Sequence, residues 1–406
     1  MAPPLNSLKK LIFIFLLITV PAAGWPAFGG NFKLFQPQAG PPLAETVNCF
    51  AAPAKLIRVA IIRDTALVVI SVNGYYKIVD SNNKVVSRGK YLSAAVACVK
   101  DQVTIAGVNY NSAKLLIKAD DPESIVIGGR KYRGNIQFVG KDNSRMLVVN
   151  YIGLEDYIKG ILYHEVSHYW PQEALKAQAI VCRTYAVYQK SQNASRDYDV
   201  TNDIYSQVYG GKSSERYRTN KAVDETAGQS LTYQNKIFPA YFHATCAGHT
   251  EDARLLWDID IVPLRGVSCA YCKDSAHFSW HQALPLKQVK DSILKAGHKE
   301  CGDIVNVLLN ERDISGRITD IMIKTSKSDL KISAKDFRTI LGANIIKSTN
   351  FRVKITGEDV IFEGFGWGHG VGMCQWGAYF MSKEGYDYKQ IIQYYYPGAE
   401  IRNEAI

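Results

Sequence analysis

The period of the apolar residues changes once, abruptly, at Gly153–Leu154. Before that point, from Leu56, short β-type runs follow one another: LIRVAII, ALVVISV, YYKIVD, SIVIGG, NIQFVG and RMLVVNYIG, with turn signals such as SNN and KDNS between them. After it, GLEDYIKGILYHEV sets Leu154, Ile158, Ile161, Leu162 and Glu165 on one face of an α-helix. Strands and helices segregated in this way read as α+β. The expected organisation is a β-rich domain over 56–153, a core carrying a helical pair over 154–281, and an α/β region over 282–406. The last region ends in a Gly-rich loop and a helix from about Cys374. Pro171 disfavours helix just before itself and suits the first position of a second helix, PQEALKAQAIVCRTYAVYQ. In that helix Leu175, Ala179, Cys182 and Ala186 form a face of mostly small residues suited to close packing.

The chain has 406 residues, 47% hydrophobic and 21% charged, enough for two or three domains with real cores. A net charge of +10 fits nucleic acid, an anionic membrane or an anionic wall polymer, and does not choose among them. The N-terminus narrows this. Lys9 and Lys10 precede LIFIFLLITV and then small residues, so 1–24 reads as a secretory signal peptide or, with the uncharged run reaching Asn31, as an anchor. Residues 25–55, rich in Pro, Gly and Ala, read as a linker. Export to the periplasm or the outer face of the cytoplasmic membrane argues against a nucleic-acid role. Membrane contact is then expected only through the N-terminal segment.

Glu165 lies within the apolar stripe near the end of its helix. Burial disfavours the charged form and raises the pKa, as a general acid working near neutral pH requires. The alternative is a buried glutamate held by an arginine or a backbone donor. His164, Glu165 and His168 also spell H-E-x-x-H, the zinc-peptidase motif, in which both histidines sit on one unbroken helix. Pro171, three residues after His168, works against that helix. A second metal pattern is Cys246 and His249 followed by Cys269 and Cys272, a C-x2-H and C-x2-C spacing close to that of a structural zinc site, with His243 as an alternative ligand. Disulfide bonds are its rival in an exported chain.

The blocks YIKGILYHEVSHYWPQEALKAQAIVCRTYAVY, DIYSQVYGG, AVDETAGQSLTYQNKIFPAYFHATCAGHTED and GFGWGHGVGMCQWGAYFMSKEGYDYKQIIQYYYPGAEI span about residues 56–402 together with the sequence around them. Together they resemble the stage II sporulation protein D family and its amidase-enhancer relatives. The resemblance implies an exported lytic transglycosylase that cleaves the MurNAc–GlcNAc bond of peptidoglycan glycan strands, preferring strands stripped of stem peptides. Glu165 matches the family's catalytic acid/base, with His164 where the family has Ser and Val166 where it often has Met. Arg183 matches the family's Arg-Thr-Tyr and is expected to orient Glu165 or bind a sugar oxygen, or else to form a structural ion pair. Tyr185, Gln207, Tyr209 and His243, and Trp367, His369 and Gln375 with Trp376 from the Gly-rich loop, are the expected cleft residues. Some relatives bind zinc at a similar Cys/His cluster, and catalysis itself needs no cofactor. The implied partners are glycan strands, and an amidase or the division or engulfment machinery. A non-catalytic wall-binding enhancer of an amidase, and a zinc peptidase, are the other two functions this sequence raises.

Overall fold

The computed structural model describes residues 56–203 and 206–403. The N-terminal signal or anchor, the linker and Cys49 lie outside those residues. Ten strands precede Leu154: β1 (Leu56–Thr65), β2 (Leu67–Val79), β3 (Val85–Val99), β4 (Gln102–Ile105), β5 (Val108–Asn109), β6 (Lys114–Ala119), β7 (Ile125–Ile127), β8 (Arg130–Tyr132), β9 (Asn135–Lys141) and β10 (Arg145–Gly153). With β11 (Val200–Thr201) they form one sheet in the order β11-β1-β10-β9-β6-β2-β3-β4-β5, with β7 and β8 branching from β2. ALVVISV and YYKIVD are one strand, because the irregularity between Asn73 and Tyr76 preserves pairing with β3. Strand β3 is fifteen residues long and escapes the sequence pattern because small and polar residues fill it, yet Leu92, Ala94, Val96 and Cys98 point inward.

Helix α1 (Leu154–Glu165) and helix α2 (Gln172–Gln192) follow directly. Ile158, Ile161 and Leu162 of α1 are fully buried with Leu175, Ala179, Cys182 and Ala186 of α2 in the same core as the sheet. Burying each such aliphatic side chain contributes about 2 kcal/mol before the entropy of ordering it is counted. The opposite face of α2, Ala177, Ile180 and Val181, belongs to a second core. Small residues on both sides let α2 run through the middle of the molecule.

Helix α3 (Tyr217–Glu225) packs on α1 and α2, and the short α4 (Ala253–Trp257) follows the Cys/His segment. A third core joins α5 (Leu286–Lys295) and α6 (Ala334–Leu341) to strands spanning Ser279 to Phe365. The C-terminal helix expected from about Cys374 is two helices, α7 (Gln375–Lys383) and α8 (Tyr388–Tyr395). Asp387 starts the second through a capping box with Gln390. Among the described residues no helix is long and apolar enough to cross a membrane.

Candidate active site

Helix α1 ends at Glu165 itself: Val166 is extended (φ −144°) and gives its N–H to the Leu162 carbonyl. The turn 166–171 then leads to α2, with Pro171 as its N-cap rather than its first residue. Glu165 therefore sits where the apolar stripe of α1 meets α2. Burial pushes its carboxyl up to about 7, opposed only by a hydrogen bond from the Val208 backbone. No basic side chain among the described residues forms an ion pair with it. A carboxyl in this state holds a proton near neutrality and can release it.

The groups behind the acid form a hydrogen-bonded scaffold. Gln375 Nε2 donates to the Glu165 carbonyl at 3.2 Å and lies 3.4 Å from Gln178 Oε1. Gln178 in turn donates to Cys182 Sγ at 3.2 Å. Gln207, expected in the cleft, is buried: its Oε1 accepts from the Tyr157 hydroxyl and its Nε2 donates to the Cys182 carbonyl. Tyr209 is also buried, donating to Asn150 Oδ1 at 2.8 Å with its ring against Gly160. Both place the Val208 backbone beside the acid instead of contacting a substrate. Gln375 likewise holds the backbone of Glu165 rather than facing solvent.

Arg183 resolves as the structural ion pair. It is 1% exposed, donates to both Glu155 oxygens at 2.9 and 2.7 Å, and also reaches the Gln229 carbonyl. Glu155 is in the first turn of α1 and Glu165 at its end, about 15 Å along the axis, so Arg183 does not orient the acid.

Tyr185 stays at the site: it is half-buried, and the Glu165 charge acts on its phenol. From it an aromatic band runs to His369 through Tyr241 and Trp257, two residues that the sequence did not single out. Tyr185 and Tyr241 have ring centroids 6.0 Å apart, Tyr241 and Trp257 4.4 Å, and Trp257 and His369 5.1 Å. All four are half-buried, a surface on which sugar rings stack. His369 is neutral: burial, with Arg338 and Arg317 nearby, holds it down at about 3, and its Nδ1 accepts the Val371 N–H. His243 is buried, with Nδ1 against the Val371 carbonyl and Nε2 without a partner. Trp367 lies under Lys347 and against His277; Trp376 packs on Trp170 and Tyr379.

The backbone of the Gly-rich loop packs closely against the chain itself. Phe242–His243 pairs in parallel with Met373–Cys374, and Thr245 exchanges backbone hydrogen bonds with Trp367. Gly370 and Gly372 have φ of 92° and 71°; a Cβ would meet Arg317 Cζ at 2.4 Å at the first and the Tyr241 carbonyl at 1.9 Å at the second. Only glycine fits both the φ and the space.

The zinc-peptidase geometry is not formed. His168 lies beyond the helix, its ring tilted against Tyr169 with centroids 4.0 Å apart, while exposed His164 meets Ser214 Oγ at 2.6 Å. Among the described residues the metal-type donors that converge are the thiols of Cys246, Cys269, Cys272 and Cys374, all buried with their Sγ atoms within 4.8 Å of one another. Cys374, which the sequence pattern did not place with the other cysteines, is the fourth member. His249 lies outside the cluster, its Nδ1 turned to the Thr250 carbonyl. Four convergent thiols suit a closed tetrahedral zinc site, in which Sγ atoms sit about 3.8 Å apart. Cys246 and Cys272 Sγ atoms, 3.5 Å apart, are near that spacing, and the hydrogen bonds of the Cys246 and Cys269 thiols hold Cys272 far below the ordinary thiol range.

A sequence model described as stage II sporulation protein matches residues 142–233, the segment holding α1, α2 and Glu165. Stage II sporulation protein D of Bacillus subtilis is 31% identical over 269 residues, 62% of this chain and 75% of that protein. The chain belongs to the stage II sporulation protein D family. Another relative of this family member, an uncharacterised protein of Brachyspira hyodysenteriae, is 34% identical over 352 residues, covering 86% of this chain and 94% of its own. The amidase enhancer of Bacillus subtilis is 27% identical over 288 residues, 60% of this chain and 40% of that protein. A model for a domain of unknown function matches residues 269–372, which carry the third core and two of the four thiols. Within this stage II sporulation protein D family member, the Gly-rich loop and Cys374 therefore bridge the two matched segments through Gln375 and Glu165.

Proposed function

We propose that, within the sporulation- or cell-wall-related role of its family, this protein is an exported peptidoglycan lytic transglycosylase with Glu165 as its acid/base. The observation that carries this reading is a half-buried glutamate whose desolvated carboxyl is raised to about 7 with, among the described residues, no ion pair and no neighbouring carboxylate acting on it. Most glycosidases need two carboxyl groups, one as acid and one as nucleophile or base. A transglycosylase needs one. Protonated Glu165 gives its proton to the glycosidic oxygen as the C1–O bond breaks. Its carboxylate then accepts the proton of the same sugar's 6-hydroxyl as O6 bonds to C1, which closes a 1,6-anhydro ring and restores the acid. Neither water nor another reactant is consumed. The band Tyr185–Tyr241–Trp257–His369 supplies stacking faces for glycan beside the acid. Zinc in the four-thiol centre would be structural: the four cysteines leave no open position, and all are buried.

A second reading, a non-catalytic enhancer of an amidase, is favoured by the likeness to the protein of that name. Mass spectrometry of purified glycan strands separates the two. Anhydro-ended fragments from the wild type, lost in Glu165→Gln, are the expected result. Strands bound but uncut, equally by both proteins, would instead support the enhancer.

A further inference from the structure

The four-thiol centre and the acid lie on opposite sides of one residue step. Cys374 Sγ belongs to the centre, and it is also the N-cap of α7, accepting the Gly377 N–H at 3.3 Å while taking the Cys246 N–H at 3.3 Å. The next residue, Gln375, spends its side-chain amide on the Glu165 carbonyl and on Gln178. That carbonyl is one of the last four of α1, which find no partner inside their own helix. The first turn of α7 sits directly on the centre: a Cβ at Gly377 would meet Tyr395 Oη at 1.9 Å and Cys269 Sγ at 3.1 Å. The Tyr395 hydroxyl is itself 3.1 Å from Cys269 Sγ. The start of α7 therefore moves only if the thiol centre moves.

We propose that Cys246, Cys269, Cys272 and Cys374 close around a soft divalent ion of the zinc type, and that this closure, transmitted through Cys374 and the positioning residue Gln375, fixes the end of α1 that carries Glu165. The role of Glu165 as the acid rests on the function proposed above; the coupling does not. A thiolate centre that gathers three chain segments, 246, 269–272 and 374, gains its folding free energy only when all four ligands are in place. The same event that orders the loops then orders the carbonyl clamp.

The test uses the full-length exported protein and reads metal and backbone protection, not turnover. Elemental analysis is expected to find one zinc per chain, with zinc unchanged in His249→Ala and its affinity at least tenfold weaker in Cys374→Ser. Amide exchange in peptides covering 160–167 is expected to accelerate about tenfold in Cys374→Ser and on chelation. Gln375→Ala is expected to reproduce that acceleration while keeping its zinc, and to move the titration of Glu165 down from about 7. The titration is read as the pH dependence of the stability difference from the matching Glu165→Gln protein. Two disulfides and no zinc in the purified protein would overturn the proposal. So would unaltered exchange over 160–167 in Gln375→Ala, even if Cys374→Ser fails to fold. Loss of lytic activity with metal and protection as expected would sink the transglycosylase reading alone.

Discussion

At neutral pH the Glu165 carboxyl is close to half-protonated, and this state costs the fold stability as the medium becomes alkaline. Its pKa rises from 4.5 when exposed to about 7 in the folded chain. A raised carboxyl favours folding while protonated, and that advantage is lost as pH climbs from the unfolded value through the folded one. At about 1.4 kcal/mol per unit, the rise corresponds to about 3 kcal/mol. Glu165→Gln, which is neutral throughout, is therefore expected to match the wild type near pH 4.5 and to exceed it by about 3 kcal/mol at pH 8. Urea midpoints at the two pH values measure this; an equal difference at both would show an acid with an ordinary pKa. The placement of Glu165 was legible from its position on the apolar stripe, a matter of helical period. The roles of Arg183, Gln207 and Tyr209 were not, because polar side chains reveal their partners only in three dimensions: Glu155, Tyr157 and Asn150 lie 28, 50 and 59 residues away.

The break after α1 was legible at the scale of elements, since Pro171 dictates it, and it separates His164 from His168 so that the zinc-peptidase motif is only a spelling. The face of small residues on α2 was equally plain. What the pattern missed was how tightly α1 is seated. Gly160 lies in the middle of that helix, where alanine would ordinarily stabilise by about 1 kcal/mol. Here the added Cβ would stand 2.4 Å from Tyr209 Cε2, and that ring is held by its bond to Asn150. Overpacking of a fixed ring costs about 1–3 kcal/mol, so the clash outweighs propensity. Gly160→Ala is expected to lower the unfolding free energy by about 1–2 kcal/mol in a denaturant titration. Under the proposed function it should also weaken glycan cleavage, since Tyr209 positions the Val208 backbone at Glu165. A more stable Gly160→Ala protein would mean that the ring is free to move.

For the whole molecule, the three larger hydrophobic cores of the described residues must be held in one register, and Arg317 joins the third to the second. It follows Ser315 in the turn between the strands Ile304–Leu309 and Asp320–Thr325 and is 1% exposed. Its guanidinium donates to the carbonyls of His249 and Cys246, inside the thiol segment, at 3.1 and 3.2 Å. Glu251 returns the link: its Oε2 accepts from Ser315 Oγ at 3.1 Å, and burial raises its carboxyl to about 7 against the pull of Arg317. Arg317 carried no signal in the sequence, because the partners of a buried arginine show only in three dimensions. The requirement surfaces only at Gly370, whose missing Cβ makes room for the guanidinium. Arg317→Met keeps the volume of the side chain but leaves two buried carbonyls without donors and Glu251 without its cation. Each lost partner costs about 1–3 kcal/mol, so the variant is expected to lose about 3 kcal/mol or more. Because Glu251 can take up a proton, part of the loss should be recovered on moving from pH 8 to pH 5, where the uncompensated carboxylate is neutralised. A loss that is the same at both pH values would show that Arg317 acts through the two carbonyls alone and carries no electrostatic link between the cores.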